Sequence, residues 1–226
     1  SFIKLKESQD KLYRQAYYDS LTNLPNRLFF KKYLKDEIKD CENSICVMFM
    51  DLNRFKTIND TMGHDIGDKL LVLVAERLKS LQDEKHHIFR LGGDEFVIVS
   101  KVNSIEEIKN DGIRAVEIFK EKFILEDKFS VKITGSIGAS IYPQDGTDID
   151  KIIKYADIAM YESKCNGGNS LYLFNDTLKK EFYEKATIEK EVKNAIENSE
   201  LYLEYQPQVS AKDGKIRGVE ALLRWK

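Results

Sequence analysis

The chain has 226 residues, about one and a half times a typical domain, so two complete large domains are excluded. Its 36 basic and 38 acidic residues leave a net charge of -2, which argues against the one-sided positive surface that duplex nucleic acid or an anionic membrane requires. With 42% hydrophobic residues the chain can bury a core, and its three cysteines, Cys41, Cys46 and Cys165, lack the spacing of a disulfide framework or a zinc site. We therefore expect a soluble chain in a reducing, cytoplasmic compartment, with no contact to nucleic acid or membrane.

The pattern of apolar residues predicts alternating helices and strands. The first elements are a connecting helix over 1–18 with a narrow apolar stripe that begins at Phe2, a helix from Pro25 to about Asp40, and a buried strand over 45–50. A loop with Gly63 and Gly67 follows, then an amphipathic helix over 70–81, hairpin strands at 87–91 and 96–99, and a helix over 104–122. The last elements are strands at 129–134 and 136–142, a helix over 149–160 capped by Asp148, and a strand at 171–174. The longest apolar run, at 45–50, is far shorter than the roughly 20 residues that cross a bilayer. The mixture around one sheet predicts an α/β (α+β) domain.

The domain boundaries follow from shifts in composition. We assign 19–175 to the globular domain, 176–200 to a charged linker helix, and 201–226 to strands that begin a second, incomplete domain.

Acidic and amide side chains cluster in the parts of this pattern where chemistry is expected. Asp51 ends the first buried strand, Asn59 and Asp68 follow it, and Asp94 and Glu95 lie on the hairpin turn. If the hairpin lies beside the first strand, Asp51 and Asp94 converge, and two close carboxylates favour a cation between them. Magnesium with phosphate is the natural occupant.

Each of these residues also has a purely structural interpretation. Asp51 could cap a helix starting at Asn53, and the Gly-Gly-Asp-Glu turn could be only a tight turn. Asn59, Asp60 and Asp68 could be loop or cap residues. Lys164 suits a phosphate, but a cation near a helix C-terminus also simply favours the helix dipole.

Five segments together resemble the GGDEF family of diguanylate cyclases. In order they are Asp19-Ser-Leu-Thr-Asn-Leu-Pro-Asn-Arg27, the segment from Asp51 to Asp68, Gly92-Gly-Asp-Glu-Phe96, Ser136-Ile-Gly-Ala139 and Ala156-Asp-Ile-Ala-Met-Tyr161. The resemblance covers about residues 17–175. The tail, with Tyr205-Gln-Pro-Gln-Val209 and Gly218-Val-Glu-Ala-Leu-Leu-Arg-Trp225, is similar to the opening of an EAL domain, the cyclic di-GMP phosphodiesterase module. The chain thus resembles a piece of a tandem GGDEF–EAL protein.

The resemblance implies a nucleotide-cyclase palm-like sheet flanked by helices, and condensation of two GTP into cyclic di-GMP across an antiparallel homodimer. It implies that Asp51, the Leu52 carbonyl and Asp94 ligate Mg2+ (or Mn2+). Glu95 would assist the metal site or deprotonation of the attacking hydroxyl.

The resemblance also implies the contacts of the nucleotide. Asn59 and Asp68 would pair with the guanine edge. Backbone amides near Phe55 and Lys56, together with the Lys164 side chain, would hold the β- and γ-phosphates. An upstream sensory region, through which the full-length protein could be anchored to a membrane, and an adjacent EAL domain would be further partners.

Two departures from the family pattern stand out. Gly168 occupies the position of a cationic phosphate contact, so one phosphate clamp is expected to be missing. Asp83 and His86 replace the Arg and Asp of the product-inhibition motif, so that inhibitory site is expected to be absent. Three hypotheses follow: an active cyclase, a GTP-binding domain that regulates an adjacent phosphodiesterase, and, weakest, a dimerisation scaffold.

Overall fold

The computed structural model describes residues 2–39, 44–125 and 129–226. Asp40, Cys41 and the side chain of Phe2, named above, lie outside that description. Within the described ranges, no helix combines the length and the apolar character needed to cross a bilayer. The chain divides into two compact units, residues 1–179 and 180–226.

Helices and strands alternate along the chain. The helices are α1 Phe2–Tyr17, α2 Arg27–Lys39, α3 Phe55–Met62, α4 His64–Lys79, α5 Ile105–Glu117, α6 Ile149–Cys165 and α7 Asp176–Glu197. The strands are β1 Ser44–Leu52, β2 His86–Gly92, β3 Glu95–Val102, β4 Phe123–Leu125, β5 Phe129–Val131, β6 Gly135–Tyr142, β7 Leu171–Leu173, β8 Leu201–Val209 and β9 Ile216–Trp225.

The first unit is built on a mixed five-stranded sheet in the order β2-β3-β1-β6-β7. β1 runs antiparallel to β3 and β6, and β7 is parallel to β6. Successive residues of β1 alternate between two hydrophobic clusters, with Met48 and Met50 in one and Val47 and Phe49 in the other. Helices cover both faces, which is why β1 is apolar throughout and why the predicted α/β fold is confirmed.

The segment after β1 is more helical than the sequence pattern predicts. Asn59 lies on α3, and Gly67 lies inside α4, although both were expected in a loop. Gly63 separates the two helices with φ 91, a conformation that favours glycine. A single turn at Gly63 therefore replaces the expected loop.

Other boundaries differ by smaller amounts. α5 ends at Glu117 rather than near Lys122, and the short β4–β5 hairpin was not predicted before residue 129. The expected cap of α6 is present, since the Asp148 side chain accepts a hydrogen bond from the Asp150 N–H.

The second unit carries the β8–β9 hairpin, paired in register from Leu201 opposite Trp225. Large apolar side chains on this hairpin are exposed, including Tyr205 at 64% and Leu223 at 60%. An apolar two-stranded sheet needs further partners for independent stability. Assignment of 201–226 to an incomplete second domain stays a prediction.

Candidate active site

Three of the carboxylates singled out in the sequence lie at one edge of the central sheet. In the β1–β3 register Asp51 stands opposite Glu95, and Asp94 precedes Glu95 in the turn after β2. The turn is possible because Gly92 and Gly93 have φ 138 and 52. The structure therefore brings Asp51, Asp94 and Glu95 together.

The interpretation of Asp51 as a helix cap does not hold. Asp51 lies within β1, and the N-cap position of α3 is Arg54, which has φ 61. In the part of the chain that the structure describes, no side chain caps α3. Asp51 is thus available for chemistry at the strand end.

Two of the carboxylates have basic partners from distant segments. The Lys164 Nζ lies 2.8 Å from Asp51 Oδ2, and a guanidinium nitrogen of Arg27 lies 2.9 Å from Glu95 Oε2. The Arg27–Glu95 pair is largely exposed, so it orients Glu95 more than it stabilises the fold. Arg27 has no role predicted from the sequence, although it ends one of the quoted motifs.

The site as a whole is rich in negative charge. Burial raises the pKa of Asp51, and the negative charges of Asp94 and Asp157 raise it further. The hydrogen bond from Lys164 lowers the pKa of Asp51 but does not cancel these effects. Burial also raises the pKa of Glu95, assisted by the other carboxylates and opposed by Arg27. Asp157 on α6, a residue that was not predicted to belong to the site, has a pKa raised by its own burial. Since like charges raise one another's pKa, a bound cation would relieve this repulsion.

A buried arginine holds the hairpin turn in place. The Nε and one terminal nitrogen of Arg90 both donate to the Gly93 carbonyl, at 3.1 and 2.7 Å. The other terminal nitrogen donates to Asp19 Oδ1 at 2.7 Å, and that oxygen also accepts from the N–H and hydroxyl of Thr22. Burial acts to raise the pKa of Asp19, but the hydrogen bonds from Thr22 and Arg90 outweigh it and lower the pKa. Asp19 therefore fixes the backbone next to Asp94.

α3 begins shortly after β1, beside the same end of the sheet. Phe55 is buried and Lys56 is exposed at the first helical positions, and the opening N–H groups of a helix have no intrahelical acceptor. Such N–H groups attract phosphate oxygens. The Phe55 side chain itself belongs to the core.

The two residues predicted to bind guanine are brought near each other by the α3–α4 packing. Asn59 Oδ1 is buried and has no hydrogen-bond partner among residues 2–39, 44–125 and 129–226. Asn59 lies against Gly67, the residue that precedes Asp68. Asp68 is exposed and lines a groove of about 490 Å³ along α4. An unsatisfied buried acceptor beside an exposed carboxylate suits a base with N–H donors.

The donor set at the sheet edge fits a hard divalent cation. Asp51 and Asp94 carry carboxylate oxygens, and the Leu52 carbonyl is the further donor that the family resemblance predicts. Considering only the described ranges, no group of three or more His, Cys, Asp or Glu side chains could hold a metal by itself. Mg2+ is commonly bound by one or two carboxylates together with substrate phosphates, which is the arrangement these residues could offer.

Comparison with known families gives the site its context. Residues 16–170 match the family described as diguanylate cyclase, GGDEF domain. The chain belongs to the GGDEF family.

Its relatives include longer proteins of cyclic di-GMP signalling. The cyclic di-GMP phosphodiesterase NbdA of Pseudomonas aeruginosa is 34% identical over 99% of this chain and 29% of its own length. The bifunctional diguanylate cyclase/cyclic di-GMP phosphodiesterase MucR of the same organism is 35% identical over 98% of this chain and 33% of its own length. The chain thus spans about a third of these relatives.

A solved structure supports the fold. The isolated GGDEF domain of TpbB, also called YfiN, from Pseudomonas aeruginosa is 31% identical, with a TM-score of 0.71 over 74% of this chain and 99% of that one. The central mixed sheet flanked by helices is therefore a GGDEF cyclase-domain fold.

Gly168, the GGDEF position expected to lack a phosphate clamp, is constrained by its surroundings. It has φ 71, and a Cβ there would lie 2.4 Å from Asn53 Nδ2. The Asn53 amide is itself held by Thr134 and Ser136, at 2.9 and 2.8 Å. The glycine is thus required by the backbone of this chain, and an arginine could not simply be restored there.

The residues at the GGDEF product-inhibition motif form an internal cluster instead. His86 Nδ1 lies 2.6 Å from Asp83 Oδ1, and His86 Nε2 lies 2.9 Å from Asp111 Oδ2 on α5. The hydrogen bond to His86 is the main cause that lowers the pKa of Asp83 to about 2. The His86 and Asp111 side chains are largely buried in this cluster, whereas about half of the Asp83 side chain stays exposed.

Proposed function

We propose that residues 19–175 form a diguanylate cyclase domain that condenses two GTP into cyclic di-GMP with release of two pyrophosphates. The observation that carries the proposal is the convergence of Asp51, Asp94 and Glu95 beside the start of α3 and Lys164. In each bond-forming step the 3′-hydroxyl of one GTP attacks the α-phosphorus of the other and pyrophosphate leaves.

The metal-binding part of the proposal rests on the donor set. Asp51, the Leu52 carbonyl and Asp94 would hold Mg2+ (or Mn2+), which when bound favours deprotonation of the hydroxyl and neutralises phosphate charge. Glu95, which Arg27 orients, would assist the metal site or accept the hydroxyl proton.

The remaining residues position the nucleotide. Asn59 and Asp68 would accept hydrogen bonds from guanine. The backbone N–H groups of Phe55 and Lys56, with the Lys164 ammonium, would hold the β- and γ-phosphates. Lys164 would exchange its bond to Asp51 for one to phosphate as the cation binds. Each subunit would hold one GTP, so the reaction needs two half-sites facing each other in a homodimer.

A loss of the metal-binding carboxylate tests this function. Asp94→Ala should abolish cyclic di-GMP formation, since Asp51 alone cannot organise the cation. The exposed Glu106→Ala on α5 is the matched control and should keep wild-type turnover. Turnover retained by Asp94→Ala would remove the metal assignment.

A second function, regulation without catalysis, is favoured by Gly168 and by relatives named as phosphodiesterases. On this reading the domain binds GTP and controls an adjacent EAL phosphodiesterase that begins at 201–226 after the linker helix 176–200. The alignment of NbdA and MucR with nearly the whole chain supports this continuation. The upstream sensory region and the cytoplasmic location belong to the same proposal.

The two functions differ in a measurable way. A regulatory domain binds GTP without making product, and GTP changes the phosphodiesterase rate of the full-length protein. A cyclase makes cyclic di-GMP from GTP whether or not a phosphodiesterase is attached.

A further inference from the structure

Gly67 is an ordinary helical residue that nevertheless has no side chain. It is buried within α4, and its φ is not in the region that requires glycine. Glycine inside a helix lowers helix stability relative to alanine, so its presence needs another reason.

The neighbours of Gly67 supply that reason. A Cβ at this position would lie 1.8 Å from Asn59 Oδ1, 3.0 Å from Asn59 Cγ and 3.2 Å from Phe55 Cζ. The Asn59 amide therefore rests directly on the α4 backbone, in space that any side chain at residue 67 would take. Because the clash is with the end of a side chain, alanine would displace Asn59 rather than break the helix.

The displaced atom is the acceptor that the proposed guanine site would use. Asn59 Oδ1 is a buried acceptor without a hydrogen-bond partner in the described part of the chain. An acceptor in this position suits the N1–H and 2-amino donors of guanine and is repelled by adenine N1, which is also an acceptor.

We propose that Gly67 is a positioning residue for base selectivity, because its bare backbone holds the Asn59 amide beside Asp68. The inference rests on the proposed GTP site. It adds a residue that touches neither base nor phosphate yet sets which purine the site prefers.

The test is equilibrium binding of 3′-deoxy-GTP, 3′-deoxy-ITP and 3′-deoxy-ATP with Mg2+ to the full chain by calorimetry. These nucleotides lack the attacking hydroxyl, so they bind without turnover, and the inosine compound lacks only the 2-amino group. Gly67→Ala should weaken the binding of 3′-deoxy-GTP about tenfold, which corresponds to the loss of roughly one hydrogen bond to a buried acceptor. The binding of 3′-deoxy-ATP should weaken by less than about twofold. The preference for 3′-deoxy-GTP over 3′-deoxy-ITP should shrink as well.

Two further variants separate positioning from a structural effect. Asn59→Ala should show the same loss. Asn59→Ala combined with Gly67→Ala should lose nothing more, because the new Cβ then has no Asn59 amide to displace. Gly112→Ala on α5 is the matched control, since it adds a Cβ to a buried helical glycine against the Leu171 side chain of β7, and it should bind like wild type.

The contradicting outcomes are distinct. Unchanged selectivity in Gly67→Ala, equal weakening of all three nucleotides, or additive losses in the double variant would overturn the inference. If Gly67→Ala does not fold, two other results replace it as the test. Recovered folding of the double variant together with lost selectivity in Asn59→Ala supports the inference. Failure of either result overturns the inference. A wild-type chain that does not prefer 3′-deoxy-GTP over 3′-deoxy-ATP would instead overturn the proposed function.

Discussion

The Asp19–Arg90 pair should be a main determinant of stability in the first unit. Arg90 is 7% exposed and Asp19 21% by side chain, so removing the carboxylate leaves a guanidinium largely buried without its charge partner. Breaking a buried pair in this way costs roughly 3–5 kcal/mol. The partial exposure of Asp19 places Asp19→Ala near the middle of that range, about 4 kcal/mol. Asp19→Asn keeps an acceptor for Thr22 and Arg90 and should cost about 2 kcal/mol of unfolding free energy.

Urea unfolding followed by far-UV circular dichroism measures this effect. With a slope of about 2 kcal/mol per molar, the midpoint should fall by about 2 M for Asp19→Ala and about 1 M for Asp19→Asn. Tryptophan fluorescence would report the wrong unit, because the single tryptophan, Trp225, lies on β9. Asp10→Ala and Asp10→Asn on the exposed α1 are the matched controls and should stay near wild type.

The same substitution should also reach the active site. With Arg90 released, the Gly93 carbonyl is no longer held and Asp94 loses its fixed position. We expect cyclic di-GMP formation by Asp19→Ala to fall even where the protein is fully folded. A midpoint for Asp19→Ala indistinguishable from wild type would refute the reasoning.

Four further predictions follow from other contacts. Because Asp83 and His86 are engaged in an internal cluster, micromolar cyclic di-GMP should leave initial rates unchanged, and strong non-competitive inhibition would reveal another product site. Gly168→Arg should lower the free energy of unfolding by at least about 1–2 kcal/mol because φ is positive there, and an unchanged urea midpoint would show that the turn tolerates a side chain. Lys164→Gln should weaken GTP binding about ten- to a hundredfold, the value of a charge-assisted hydrogen bond, whereas unchanged binding would remove its phosphate role. Folding lowers the pKa of Asp19, so the stability that this carboxylate contributes is present above its unfolded pKa of 3.8 and is lost as the pH falls below that value. Asp19→Asn should lack this part of the acid dependence of the urea midpoint.

Local patterns predicted the parts of the fold that depend on local chemistry. The continuous apolar character of β1 indicated a strand covered on both faces, and the glycines of the hairpin turn indicated positive φ. A glycine at residue 67 favours a loop because glycine usually interrupts helices, whereas in the structure it lies inside α4 and makes room for Asn59.

Contacts between distant segments were beyond local patterns. Arg27 is 68 residues from Glu95, and Arg90 is 71 residues from Asp19, so neither pair leaves a periodic signal. Asp157 was missed because its role depends on how α6 packs on the sheet. The family motifs contain Asp19, Arg27 and Asp157, and they were the available signal for all three.

Product formation by the unmodified chain decides between a diguanylate cyclase and a GTP-binding regulatory domain. The chain, at increasing protein concentration, is incubated with GTP and Mg2+, and nucleotides are separated by anion-exchange chromatography while pyrophosphate is quantified. We expect two pyrophosphates for each cyclic di-GMP formed, and a specific rate that rises with protein concentration as half-sites pair. Bound GTP with no cyclic di-GMP at any protein concentration would contradict a cyclase and leave the regulatory function in its place.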